Sequence, residues 1–143
     1  MRYIGIDPGE RRIGVAVSDP EGRMAMPAEV ISESDPNAQV GAILACADRH
    51  GAEALVIGMP YTLRGELGPA ALRVQEQVER LRQRTDLPVH TYDERFSSGI
   101  ANSVLAQADA DHRTRKQNVD KLAATVMLQS FLDSRAASAE AES

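Results

Sequence analysis

Four acids stand at places where a folded chain presents side chains rather than hides them. Asp7 closes the apolar run "YIGI" just before a Pro-Gly turn, Asp93 and Glu94 close the run "LPVHTY", and Asp120 stands near the start of "NVDKLAATVMLQSFLDS". A carboxylate at the edge of a core is costly unless it is paired or bound to a cation, and several brought together repel one another. A divalent metal answers both problems. All-oxygen ligands suit Mg²⁺ or Mn²⁺, and a carboxylate-held pair of such ions about 3.5–4 Å apart can drive phosphodiester hydrolysis. Singly, each acid has a simpler reading: Asp7 as a turn residue, Asp120 as a charge favoured at a helix start, Glu94 as the partner of Arg95.

Whether the acids meet depends on the elements that carry them. "YIGI" and "RIGVAVS" flank "DPGER" and read as a hairpin, and "MAMPAEVIS" is a third strand that Pro27 confines to an edge. "SDPNAQVGAILACADRHG" is a helix with Asp35 as its cap, Pro36 at its first position and Gly51 at its end. "EALVIGMP" is a short continuous apolar run of the kind found in buried strands. Ala71, Val74, Val78 and Leu81 form one stripe of a second helix, and "LPVHTYDER" is a fifth strand. "SSGIANSVLAQAD" reads as a third helix, "ADADHRTRKQ" as a mobile connection, and the segment capped by Asn118 as the last helix.

The order β-β-β-α-β-α-β-α-α predicts an α/β fold with a mixed five-stranded sheet, three strands antiparallel and two added in parallel, flanked by helices. In such sheets ligands gather beyond the carboxyl ends of the parallel strands. Asp7 and the Asp93–Glu94 pair then fall at one end. Asp120 heads a helix face that continues through Ala123, Ala124, Met127 and Phe131. Adjacent residues of a strand point to opposite faces, so only one of Asp93 and Glu94 joins the site, and the sequence leaves open which.

Composition narrows the partners. The chain has 143 residues, 43% of them hydrophobic, which suits one domain over residues 1–135 with a flexible tail at 136–143. Aromatic residues are only 3%, so binding of single strands by base stacking is disfavoured. The net charge of -5 speaks against a broad nucleic-acid surface and concentrates attention on local cations: Arg11, Arg12, Arg95, and Arg113, Arg115 and Lys116 beside His112. Gly58, Gly65 and Gly68 around "GMPYTLRGELG" would permit close phosphate approach. The lone Cys46 in an apolar helical pattern is a small core residue, and His50, His90 and His112 show no metal spacing. No run is long enough to span a membrane and the start does not read as a signal peptide, which places the protein in the cytoplasm.

Four blocks, "IGIDPGERRIGVAVSD", "VIGMPYTLRGELG", "YDERFSS" and "VDKLAATVMLQSFL", occur in the order found in the YqgF/RuvX family, the pre-16S rRNA nuclease or Holliday junction resolvase-like family, which the chain resembles over nearly its whole length. The resemblance implies an RNase H-like fold related to the RuvC resolvases and metal-dependent phosphodiester cleavage in maturing the 5′ end of pre-16S rRNA. It implies Asp7, Glu94 and Asp120 as the catalytic and metal-binding acids. RuvC-type resolvases often carry a further acid where this sequence has Ala123. Structured RNA is the expected substrate. Branched DNA is the alternative, and a non-catalytic RNA-binding assembly factor a third reading. A monomer or weak homodimer is expected, since no dimer signature stands out. A sugar-kinase-like phosphotransferase would need a second domain around a cleft, for which 143 residues leave no room.

Overall fold

The computed structural model describes residues 1–96 and 112–142, with side chains for 1–95 and 121–136. The segment read as a third helix, 97–109, lies outside the described residues. The expected sheet is present. β1 (Tyr3–Asp7), β2 (Arg12–Ser18), β3 (Ala25–Ser32), β4 (Ala54–Met59) and β5 (Val89–Asp93) lie in the order β3-β2-β1-β4-β5. The first three are antiparallel, and β4 and β5 add in parallel beside β1. β3 takes the edge, and Pro27 sits beside a register irregularity opposite Val15 and Ala16, where a missing N–H costs no ladder bond.

The sheet has two apolar faces, as a β-sheet covered on both sides must. Ile4, Ile6, Leu55, Ile57 and Val89 pack against α1 (Pro36–Arg49) and α2 (Pro69–Arg84). Tyr3, Ala54 and Val56, the alternate positions, pack against Ala124, Met127, Leu128 and Phe131 of α3 (His112–Glu142). α1 starts as the sequence predicts: Asp35 caps it by accepting from the Ala38 N–H at 2.9 Å, Pro36 follows, and Gly51 leaves it at φ +65°. The α2 stripe is buried at Ala71, Val74, Val78 and Leu81.

α3 departs from the expectation. It begins at His112, so Arg113, Arg115 and Lys116 occupy its first turns rather than a connection, and Asn118 lies inside it. Arg, Lys and Gln propagate a helix that packing further along it has already nucleated. The helix also continues to Glu142, into the Ala- and Glu-rich stretch read as a tail.

Polar ties fix α3 along the sheet. The Gln129 Oε1 accepts from Ala25 N at 2.8 Å, Gln129 Nε2 donates to Arg23 O at 2.9 Å, and the Tyr92 and Ser130 hydroxyls share a bond of 2.6 Å. Gly5 sets the depth: a Cβ there would lie 2.8 Å from the Leu128 Cβ, so the helix rests on bare backbone at the centre of β1. Gly5→Ala is expected to destabilise the protein by about 1–3 kcal/mol in urea titration, the usual cost of overpacking. In a double-mutant cycle with Leu128→Gly, which removes the Cβ that the new methyl would meet, the Gly5→Ala penalty should shrink. Strict additivity of the two changes would show that the contact does not set the helix position.

Candidate active site

Asp7, Gly58 and Glu94 form the centre of the site, and strand register places all three. Ile6 pairs with Ile57 on β4, so the next step sets Asp7 beside Gly58, which in turn pairs with Tyr92 on β5. Alternation sends Tyr3, Gly5 and Asp7 to the α3 face of β1. It sends Ala54, Val56 and Gly58 to the same face of β4, and Tyr92 to that face of β5. Glu94 follows in a 3₁₀ turn (Glu94–Phe96) and turns back over the sheet.

Gly58 makes the meeting possible. A Cβ there would lie 2.3 Å from the Glu94 Oε1, so the central strand leaves an empty position over which the carboxyls from either side approach. The glycine, read from the sequence as room for a phosphate, makes room for a carboxylate. The Asp7 and Glu94 carboxyls interact directly, and Glu94 Oε1 is buried with no hydrogen-bond partner. Burial raises the Asp7 pKa, partly offset by the contact with Glu94. Burial first, then the contact with Asp7 and the charges of Asp7 and Asp93, push Glu94 up to about 10. Without a cation the pair therefore retains a proton at neutral pH.

Asp93 points elsewhere. Its carboxylate accepts from the Arg95 Nε at 3.0 and 2.9 Å and from the Arg95 backbone N–H at 3.0 Å, which holds its pKa below the ordinary range. Of the two successive acids, Glu94 meets Asp7, and Asp93 anchors Arg95. Arg95 extends over the Tyr61 ring, 5.9 Å from its centre, towards Gly65. Gly65 adopts φ +80°, the left-handed conformation that favours glycine, in the turn that receives the guanidinium. Arg95 therefore ties the 60–68 loop to the end of β5.

Arg11 and Arg12 lie across the hairpin from Asp7 at the same end of the sheet. Asp120 stands in α3 four residues before the buried Ala124, a helical spacing that puts both positions on one side; its side chain lies outside the described residues. α3 also contacts the turn that carries Glu94. Ala123, where related resolvases often have an acid, is buried. The side chains of Arg113, Arg115 and Lys116 likewise lie outside the described residues.

The fold is the RNase H-like fold of the RuvC resolvases. Thermus thermophilus RuvC, solved with a Holliday junction substrate, matches with a TM-score of 0.60 over 96% of each chain at 20% identity. Fowlpox virus resolvase with its Holliday junction matches at 0.57, over 94% of this chain and 99% of that one, at 10% identity. A family model described as "RuvX: Holliday junction resolvase" covers residues 1–134, and the chain belongs to the RuvX family. A relative from Desulforudis audaxviator is 42% identical over 135 residues, covering 94% of this chain and 96% of its own. One from Symbiobacterium thermophilum is 40% identical over 137 residues, covering 96% and 95%. Both carry the name "Putative pre-16S rRNA nuclease".

The raised carboxyls have a pH signature. In metal-free protein the folded state holds protons that the unfolded chain releases above about pH 4. The stability they contribute is full below that pH and is lost as pH rises towards the folded values. Asp7→Asn removes one of the repelling charges. Its melting temperature in chelator should exceed that of the unsubstituted protein by a margin that grows from pH 5 to pH 8, and Mg²⁺ or Mn²⁺ should narrow the gap. A margin independent of pH would mean the two carboxyls do not interact.

Proposed function

We propose that this chain is a metal-dependent nuclease that hydrolyses phosphodiester bonds in structured RNA and matures the 5′ end of pre-16S rRNA in the cytoplasm. The observation that carries the reading is the pair of facing, half-buried carboxyls over Gly58, one oxygen of which has no partner. An orphaned buried oxygen beside a second carboxyl is a poor arrangement for stability alone and a fitting one for a hard cation. Asp7 and Glu94 would hold Mg²⁺ or Mn²⁺, with Asp120 as the third acid. When bound, such a cation supplies charge neutralisation and a more acidic water. Asp93 serves the site indirectly by orienting Arg95.

The chain's own residues do the rest. Asp7 and Glu94, raised while the cation is absent, give up their shared proton on its binding, so activity should rise with pH. Net charge of -5 leaves affinity to cations around the carboxylates. Arg11 and Arg12 flank Asp7, Arg95 flanks Glu94, and Arg113, Arg115 and Lys116 lie on the turns of α3 that extend about 12 Å beyond Asp120. RNA duplexes offer phosphates and a wide minor groove to such a rim. Among the described residues no helix is long and apolar enough to cross a membrane, consistent with a protein that meets pre-rRNA freely.

The family model's own description favours a second reading, resolution of four-way DNA junctions. That chemistry requires two such sites related by a dimer axis. Purified protein with Mn²⁺ or Mg²⁺ on matched RNA, single-stranded DNA and four-way junctions separates the readings. Cleavage of RNA carrying a 5′-extended 16S end is expected from a monomer or weak homodimer. Symmetric paired nicks in the junction would establish the resolvase reading instead, and binding of RNA without cleavage would leave an assembly factor.

Asp7→Asn and Gly58→Ala should each lower cleavage at least about 100-fold, the scale reached when even an outer partner of a metal ligand is lost. Gly58→Ala acts without changing a single charge, so retained activity in that variant would remove Glu94 from the site. Replacing Arg113, Arg115 and Lys116 by Gln should flatten the salt dependence of binding, each lost phosphate contact removing about 0.7–0.9 from the log–log slope. An unchanged slope would assign these residues to the solvated surface.

A further inference from the structure

A second cluster of metal-ligand side chains lies on the α1 face of the sheet, opposite to the face that carries Asp7. Cys46 and His50 stand four residues apart at the C-terminal end of α1, on one face of the helix. Glu29 of β3 shares the α1 side of the edge strand with Ile31 and completes the group. The three ligand atoms lie within 4.8 Å of one another, and the His50 Nε2 is already 3.1 Å from the Glu29 Oε2. Glu29 pairs with Val15, which pairs with Ile6, so it stands two strands, about 10 Å, from β1 on the face opposite to that of Asp7, and the His50 carbonyl accepts from Arg2 at the start of β1.

We propose that Glu29, Cys46 and His50 form a structural site for a thiophilic divalent cation of the zinc class, which clamps edge strand β3 to the end of α1. One thiol, one imidazole and one carboxylate make a donor set that zinc accepts and Mg²⁺ does not. Tetrahedral zinc with these donors needs ligand atoms about 3.5 Å apart; nitrogen and oxygen already comply, and the Cys46 sulfur has a short distance to close. The neighbourhood suits a cation. The cluster sits at the negative end of the α1 dipole. The Arg49 guanidinium holds the other Glu29 oxygen, Oε1, as an outer partner that orients a ligating carboxylate. Glu29 and His50 side chains are about a third exposed, 32% and 30%, which leaves an approach and a fourth position for water, while Cys46 is buried behind them. Burial, then the Glu29 charge, pushes the Cys46 thiol up to about 12, so binding must release its proton to solvent. The chain thus offers two chemically separate sites: oxygen ligands for a hard catalytic cation and a mixed set for a soft structural one.

The test uses chelator-treated full-length protein in excess Mg²⁺, which occupies the carboxylate pair, titrated with Zn²⁺ and with Co²⁺ as a spectroscopic probe. One equivalent should bind, with a thiolate-to-cobalt charge-transfer band and one proton released. The band should vanish in Cys46→Ala. His50→Gln, a change at a partly exposed position that leaves the core intact, should weaken Zn²⁺ at least tenfold, and Asp7→Asn should leave binding unchanged. Absence of the band in the unsubstituted protein, or an unaltered Zn²⁺ affinity in His50→Gln, would overturn the proposal and leave Glu29 as a carboxylate held by hydrogen bonds.

Discussion

The meeting of Asp7 and Glu94 over a position without a side chain is the constraint on which the rest of this structure turns. Two carboxyls, one on β1 and one in the turn that follows β5, are separated by β4, and a side chain between them would keep them apart. Gly58 removes that side chain, and a Cβ in its place would strike Glu94. Everything nearby serves this gap. Parallel pairing of β4 with both neighbours brings the carboxyl ends of β1 and β5 level. The 3₁₀ turn bends Glu94 back over the sheet. The cost is an orphaned buried oxygen and a pair of raised pKa values, a locally destabilised state.

The same end of the sheet separates charges by face. Successive residues Asp93 and Glu94 diverge, one bound to Arg95 and the other facing Asp7. Arg95 is thereby kept from neutralising Glu94 and is spent instead on the 60–68 loop through Tyr61 and Gly65. A guanidinium placed directly on Glu94 would instead satisfy the buried oxygen that is left without a partner. The turns that carry Arg113, Arg115 and Lys116 continue the helix that Gly5, Gln129 and Ser130 fix against the sheet, so their position follows from packing further along it.

Much of this was legible in the sequence. Period-two apolar patterns, the Asp35–Pro36 start of α1 and the Val74–Val78 stripe of α2 are local, and local propensity decides them; the strand order then follows from the alternation of elements. The acids at strand ends were visible for the same reason, because an apolar run that stops at a carboxylate marks where the core stops. The choice between Asp93 and Glu94 was not, since β5 has one strongly buried apolar residue, Val89, and a single point does not fix a pleat. Nor was the helical state of Arg113 to Lys116, which rests on a nucleus formed by packing further along α3 rather than on its own pattern.

What the sequence determined by itself is therefore the set of elements, their order and the chemical types at their ends, because hydrophobic periodicity and turn chemistry act over a few residues. What only the tertiary structure decided is which of those types touch. Gly58 gained its role from Glu94, 36 positions later, and the Glu29–Cys46–His50 group exists only because edge strand β3 lies against the end of α1. The reason is physical: a contact between strands or between a strand and a helix depends on register and pleat, and a one-residue change of register reverses which side chain faces which neighbour.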